Sequence, residues 1–224
     1  MSVTTQNPAA ILWDMDGTIV DTEPYWMEAE VALVREYGGE WGIDDAKQLI
    51  GQGLWHSARL LRSKGVAMDE AAIIDELTDR VMAKIAERVP WRPGARELLS
   101  EAREAGLPMA LVTMSFRRMA DQVVEAIGFE VFDAIVTGDS VEHAKPHPQP
   151  YLLGAESIGV DAADSVAIED SEPGLRSAVA AGATAIGVLA HAPIPESEVY
   201  TLWPTLEGRV LADLAELHGI RRAA

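Results

Sequence analysis

Ile11-Leu12-Trp13-Asp14-Met15-Asp16-Gly17-Thr18 is the stretch from which the rest of the chain can be read. An apolar run stops at two carboxylates one residue apart, followed by a glycine and a hydroxyl. Such a run reads as a buried parallel strand entering a loop. In an open α/β sheet, ligands bind beyond the carboxyl ends of the strands. Residues i and i+2 of an extended segment point the same way, which lets Asp14 and Asp16 share one small space. Two carboxylates ~4 Å apart repel by roughly 4 kcal/mol at an effective dielectric of 20. A metal ion, a lysine or a proton has to offset that. Alone, an Asp-x-Asp is equally well explained as a solvated strand-to-helix turn. The sequence that follows argues for a site.

Composition bounds the answer. A chain of 224 residues with 48 % hydrophobic content can bury a full core. No apolar run approaches the ~20 residues of a membrane span. Residues 1–10 carry no basic region ahead of an apolar segment, so a loose tail is expected there rather than a secretory signal. The chain has no cysteine, which removes disulfides and thiolate metal sites and suits a reducing cytoplasm. The net charge of −18 argues against nucleic acid or an anionic membrane as partner. An anionic ligand would then need a locally positive site. Screening over about 8 Å lets a local metal and lysine outweigh the distant surface charge.

Asp21-Thr22-Glu23-Pro24 reads as a helix start with a capping side chain, and Gly38-Gly39 as its stop. Further helices are expected near 44–64, interrupted at Gly51-Gln52-Gly53, and near 69–88, with Ile73, Ile74, Leu77, Val81 and Ile85 at helical spacing. No strand signal appears between Thr22 and Val89, so 22–89 reads as a small helical insert. Beyond Pro90-Trp91-Arg92-Pro93-Gly94 the pattern alternates. Strands are expected at 109–112, 134–136, 165–168 and 185–189, separated by single helices, with a closing helix at 207–217. With the first strand that makes five, in a parallel α/β sheet.

The polar residues after these strands gather the chemistry. They are Asp14 and Asp16, then Thr113-Met114-Ser115, then Lys145 before Pro146, then Glu169-Asp170. A parallel sheet brings all of them to one edge. Carboxylate oxygens suit Mg²⁺, which keeps waters and takes substrate oxygens as further ligands. A lysine and a hydroxyl suit phosphate oxygens.

Taken together, Asp14-Met15-Asp16-Gly17-Thr18, Thr113, Lys145 and Glu169-Asp170 resemble the four motifs of the haloacid dehalogenase-like superfamily of phosphotransferases, in the same order. The pattern is most similar to the sugar-phosphate phosphatases and the β-phosphoglucomutase-like branch. The resemblance implies a Rossmann-like core, 1–21 and 90–224, with an all-helical cap, 22–89, inserted after the first strand. It implies that Asp14 is the nucleophile forming an aspartyl-phosphate, and that Asp16 is the general acid and then base. Thr113, Met114 and Ser115 would form the phosphate-binding turn, with Thr113 holding the transferring phosphoryl group, and Lys145 would neutralise the charge. Asp14, the Asp16 carbonyl, Glu169 and Asp170 would bind Mg²⁺. Three features depart from the usual pattern: Met114 within the second motif, Ala144 before the lysine, and Glu169 where an aspartate is common.

The implied activity is Mg²⁺-dependent hydrolysis of a small phosphomonoester, a sugar or polyol phosphate, by a cytoplasmic monomer. The alternative is a sugar phosphomutase on the same chemistry. Asp16 and Asp170 argue against a dehalogenase, and Asp16 against phosphonate cleavage. Other residues read more plainly. His56 is expected to be half-buried packing in the cap. His143 and His147 are expected to make helix-start hydrogen bonds rather than bind metal. Trp13, Trp26 and Trp55 are expected to pack, with Trp26 and Trp55 the ones able to line a pocket.

Overall fold

A computed structural model describes residues 7–50 and 53–223. The strands among them are β1 (Ala10–Trp13), β2 (Met109–Val112), β3 (Ala134–Val136), β4 (Ser165–Glu169), β5 (Thr184–Val188) and β6 (Thr201–Trp203). They form one parallel sheet in the order β3-β2-β1-β4-β5-β6. The helices are α1 (Glu23–Glu36), α2 (Ile43–Ala46), α3 (Leu54–Ser63), α4 (Glu70–Glu87), α5 (Ala95–Glu104), α6 (Arg117–Ile127), α7 (Gln149–Ser157), α8 (Glu172–Ala180) and α9 (Leu211–Ala223). No helix among the described residues is long and apolar enough to cross a membrane.

β1 lies at the centre, paired with β2 through Ile11–Met109 and with β4 through Ile11–Val166. Alternate residues enter opposite faces, as the period of two requires. Ile11, Trp13, Met109, Leu111 and Ile168 join the core with Leu98 of α5, Met119 of α6 and Leu214 of α9. Leu12, Ala110, Val112 and Ala167 join Tyr151 of α7 and Leu175 of α8. Burying each large aliphatic side chain contributes roughly 1.5–3 kcal/mol relative to exposure. On the second face the strand residues are small, and α7 comes close. A Cβ at Gly154 would stand 2.7 Å from Val112 Cγ2.

Between β1 and β2 the described chain has helices and loops but no strand, and its isolated bridges pair Asp16 with Val20 in parallel and Val20 with Trp91 antiparallel. The outgoing and returning segments run side by side there. Asp21 N–H donates to Pro90 O at 2.7 Å, and Arg92 N–H to Ile19 O at 2.9 Å. Leu33, Leu61, Ile73, Ile74, Leu77 and Ile85 bury their side chains among α1, α3 and α4. α4 also meets α6: Arg118 pairs with Asp75 at 3.2 Å and with Asp79, and Gln122 Nε2 donates to Met82 O at 3.0 Å.

The structure corrects several sequence expectations. The sheet has six strands rather than five, β6 being three residues in a loop-rich stretch with too short a pattern to register. The closing helix starts at Leu211 rather than residue 207, and Val210 N–H donates to Asp213 Oδ2 at its entry. The expected helix at 44–64 is α2, a 3-10 turn at Lys47–Leu49, and α3. Gly51 and Gln52, where the interruption was expected, lie outside the described residues, as do residues 1–6 of the expected tail. α4 is capped, Asp69 Oδ1 accepting from Ala72 N–H at 2.8 Å. α1 is not. Thr22 occupies its N-cap position without a side-chain cap bond.

Two stability outcomes follow from this packing. A Cβ at Gly174, in the first turn of α8, would stand 1.9 Å from the Glu169 carboxyl carbon. Gly174→Ala is expected to cost about 1–3 kcal/mol and to lower the melting temperature by several degrees. The second outcome concerns α1, which buries Glu30, pushed up to about 8 by burial and then by the charge of Glu23. A carboxyl raised in the folded state keeps a proton that the unfolded chain releases, so its stabilisation is complete below its usual value of 4.5 and is lost as pH rises through about 8. The melting temperature of the metal-free protein should therefore fall between about pH 5 and about pH 8.5, and Glu30→Gln should flatten that fall. Parallel curves would show that Glu30 is ionised throughout.

Candidate active site

The loop after β1 turns tightly, with Thr18, Ile19 and Val20 N–H all donating to Met15 O. Gly17 has φ +87°, and a Cβ there would stand 1.9 Å from Asp170 Oδ2. Glycine is required on both counts, for its left-handed backbone and for the approach of Asp170. Loops after β2 and β3 also meet closely: a Cβ at Gly138 would stand 2.2 Å from Met114 O.

Lys145 is buried among the strand ends. Its Nζ donates to Asp14 Oδ1 at 2.8 Å, to Val112 O at 2.8 Å and to Glu169 Oε1 at 2.5 Å. Three donors are matched to three acceptors, which fixes the ammonium without slack. Burial alone would push Lys145 down, but the Asp14 and Glu169 charges outweigh it and hold the ammonium above its usual value. Glu169 is fully buried. Its Oε1 also accepts from Tyr151 Oη at 2.9 Å, and its Oε2 accepts from Asp170 N–H, Ser171 N–H and Ser171 Oγ. Its oxygens are thus saturated.

Asp14 is 6 % exposed, and its Oδ2 is buried without a hydrogen-bond partner. Burial and then the Glu169 charge push it up to about 7, against the pull of Lys145. Burial and then the charges of Asp14 and Glu169 push Asp170 well above the carboxylate range. Ligand oxygens of Asp14, Glu169 and Asp170 lie within 4.8 Å of one another. Three carboxylates against one ammonium leave a charge deficit of two. An all-oxygen donor set with an unsatisfied buried oxygen is chemistry that a hard divalent cation fits.

Asp16 faces a different set of partners. Thr22 Oγ1 donates to its Oδ1 at 2.5 Å, while Thr113 Oγ1 at 3.2 Å and Ser115 Oγ at 2.7 Å donate to its Oδ2. Thr113 Oγ1 in turn accepts from Ser115 N–H at 3.0 Å. This is where the Thr22 hydroxyl goes instead of capping α1. Hydroxyls both donate and accept, so these partners can serve either protonation state of Asp16.

A cavity of about 160 Å³ opens over these groups. Asp14, Asp16, Thr113, Met114, Ser115, Lys145 and Asp170 all contribute to its wall, while Glu169 lies beneath it. Sequence reasoning missed further wall residues, among them Glu23, Glu30, Ser57 and His191. Glu23 and Glu30 share a helix face with Trp26 at spacing i, i+3, i+7, and an acidic residue on a buried stripe was a readable signal. Burial, before the charges of Asp16 and Asp21, pushes Glu23 up to about 7. His191 comes from the loop after β5 and pairs with Asp21 at 2.5 Å, a contact no local pattern announces. His56 is exposed rather than half-buried, because its position on α3 faces solvent. Trp55 is 49 % exposed and does not line the cavity, whereas Trp26 does. His147 Nδ1 accepts from Gln149 N–H at 3.1 Å, a helix-start bond of the kind expected.

The family model described as haloacid dehalogenase-like hydrolase matches residues 8–182. The chain is 33 % identical to fructose-1-phosphate phosphatase YqaB of Escherichia coli over 182 residues, covering 80 % of this chain and 96 % of that one. It is 30 % identical to hexitol phosphatase B of the same species over 206 residues, covering 88 % and 89 %. The crystal structure of CbbY from Rhodobacter sphaeroides in complex with xylulose-(1,5)bisphosphate superimposes with a TM-score of 0.84 at 30 % identity, covering 92 % of this chain and 99 % of that one. By the family model over residues 8–182 and by these relatives, the chain belongs to the haloacid dehalogenase-like hydrolases.

Proposed function

We propose that this hydrolase is a phosphatase acting on a small sugar or polyol phosphomonoester through an aspartyl-phosphate on Asp14. The observation that carries the reading is the state of the Asp14 carboxylate. One oxygen is anchored by Lys145, and the other is buried with no donor. A carboxylate held this way has one oxygen free to attack phosphorus. The named relatives act on fructose 1-phosphate and hexitol phosphates, which supports the substrate class.

In the first step Asp14 Oδ2 bonds to phosphorus as the ester P–O bond breaks, and Asp16 gives its proton to the departing alcohol oxygen. In the second step Asp16 takes a proton from water, the water oxygen bonds to phosphorus, and the bond to Asp14 breaks. Inorganic phosphate leaves and both aspartates return to their starting states. Thr113, Met114 and Ser115 form the turn against the phosphoryl group, and Thr113 and Ser115 also hold Asp16 in place. Lys145 neutralises charge at Asp14.

Mg²⁺ would be held by Asp14 and Asp170, with the Asp16 carbonyl and with Glu169 directly or through water, and would supply positive charge against the phosphoryl oxygens. Glu169 with its oxygens saturated acts chiefly to position Lys145 and Asp170. Residues 22–89 serve as a cap that excludes bulk water, with the paired segments at Val20 and Trp91 as its connection to the core. Every group named comes from one chain, so a monomer suffices. A cysteine-free composition suits the cytoplasm.

Phosphate release from a panel of small phosphate esters, with and without Mg²⁺, tests this reading. Metal-dependent release is expected. Asp14→Asn removes the nucleophile itself and should abolish measurable turnover. Asp16→Asn should lower it by about 10²–10⁴. No metal-dependent release from any ester, or an Asp14→Asn variant as active as wild type, would overturn the reading.

A further inference from the structure

The cavity has two unlike ends. Its inner end holds Lys145 with Asp14 and Asp170. Its outer wall is built from the helical segment and includes Trp26, Glu30, Leu49, Leu54 and Ser57, with Glu23 between that wall and Asp16. Glu30 is 5 % exposed, and its Oε2 is buried with no hydrogen-bond partner. A buried carboxyl oxygen without a donor is costly, and a ligand that supplies one relieves that cost.

The charge of that wall is equally informative. Apart from Lys145, the only basic side chain on the described cavity wall is His191, and it is paired with Asp21 at 2.5 Å. Basic residues of the helical segment pair elsewhere: Lys47 with Asp44 at 2.7 Å, and Arg62 and Arg59 with Glu70 at 3.4 and 3.8 Å. A second phosphate or a carboxylate reaching the outer wall would meet two carboxyl groups, and the one basic side chain near them on the described wall, His191 by Glu23, is already held by Asp21. Ionised, those groups repel it. Protonated, they offer isolated donors to an anion that would be buried without a countercharge. Substrate hydroxyls suit the same wall well. They donate to Glu30 and Glu23 oxygens, and the Trp26 ring packs against the carbons between them.

We propose that Glu30, with Glu23 beside it on α1, selects phosphomonoesters whose far end is a neutral, hydroxyl-bearing chain and rejects bisphosphates and phosphorylated acids. This rests on the phosphatase reading above and adds a specificity that the family does not dictate. CbbY, of the same fold, was crystallised with a bisphosphate.

The test compares kcat/KM for matched pairs on the same sugar: fructose 1-phosphate against fructose 1,6-bisphosphate, and glucose 1-phosphate against glucose 1,6-bisphosphate. p-Nitrophenyl phosphate, which has no polyol tail, reports on the phosphoryl chemistry alone. In wild type the monophosphate of the better pair should be favoured by at least about a hundredfold, a part of the roughly thousandfold that one unscreened like-charge contact gives. Glu30→Gln, and Glu23→Gln combined with it, should shrink that ratio at least about tenfold, a readout within one variant that a general loss of folded protein does not move. Equal or faster turnover of either bisphosphate by wild type overturns the proposal, whether or not the variants fold. Glutamine variants that keep the wild-type ratio overturn it too. If p-nitrophenyl phosphate and all four sugar phosphates are inert, the phosphatase reading fails and takes this inference with it. If p-nitrophenyl phosphate is hydrolysed without discrimination within the pairs, only this inference fails.

Discussion

The Lys145 ammonium, buried between Asp14 and Glu169, is the contact on which the rest of the site depends. It joins the loop that follows β3 to the ends of β1 and β4, and its third bond reaches the last residue of β2. Removing the cation would leave three carboxyl groups crowded at the sheet edge with nothing to hold them. A buried pair of this kind contributes little net stability, since desolvation consumes most of the attraction. Its value lies in geometry. Three acceptors fix the ammonium, and one oxygen of Asp14 is left without a hydrogen-bond partner.

Two glycines make that arrangement sterically possible. Gly17 gives Asp170 its place against the β1 loop, and Gly174 gives Glu169 its place beneath α8. Neither interaction is visible as a contact, because what matters is an absent Cβ. The longer side chain of Glu169 uses the second gap to reach Lys145 and the backbone of its own loop at once.

α1 links the chemistry to the helical segment. Its N-cap residue spends its hydroxyl on Asp16 instead of on the helix, and its inward face carries Glu23, Trp26 and Glu30 into the same cavity. One helix therefore contacts Asp16 at its start and the outer wall one and two turns later. At the far side of the segment Arg118 of α6 grips Asp75 and Asp79 of α4. The connection at Val20 and Trp91 and this grip are two separate attachments of the helical segment to the core.

The parallel sheet, the helical insert and the strand-end motifs were legible in the sequence because each rests on a local pattern. Apolar strands of four or five residues stop at polar turns, and Asp14, Thr113, Lys145 and Asp170 each follow one. β6 and the start of α9 were not legible, since a three-residue strand and a frayed helix entry carry too little periodicity to separate from loop. The exposure of His56 and Trp55 was equally hidden, as both depend on which way α3 rotates against its neighbours. Tertiary structure alone decided which partners each of the two aspartates meets. Asp14 and Asp16 are nearly identical in sequence context, but one meets a lysine and the other three hydroxyls. Tertiary structure also decided that Glu23, Glu30 and His191 join the cavity. Strand-end position follows from chain order, whereas the partner of a side chain follows from long-range packing, which no local run of residues encodes.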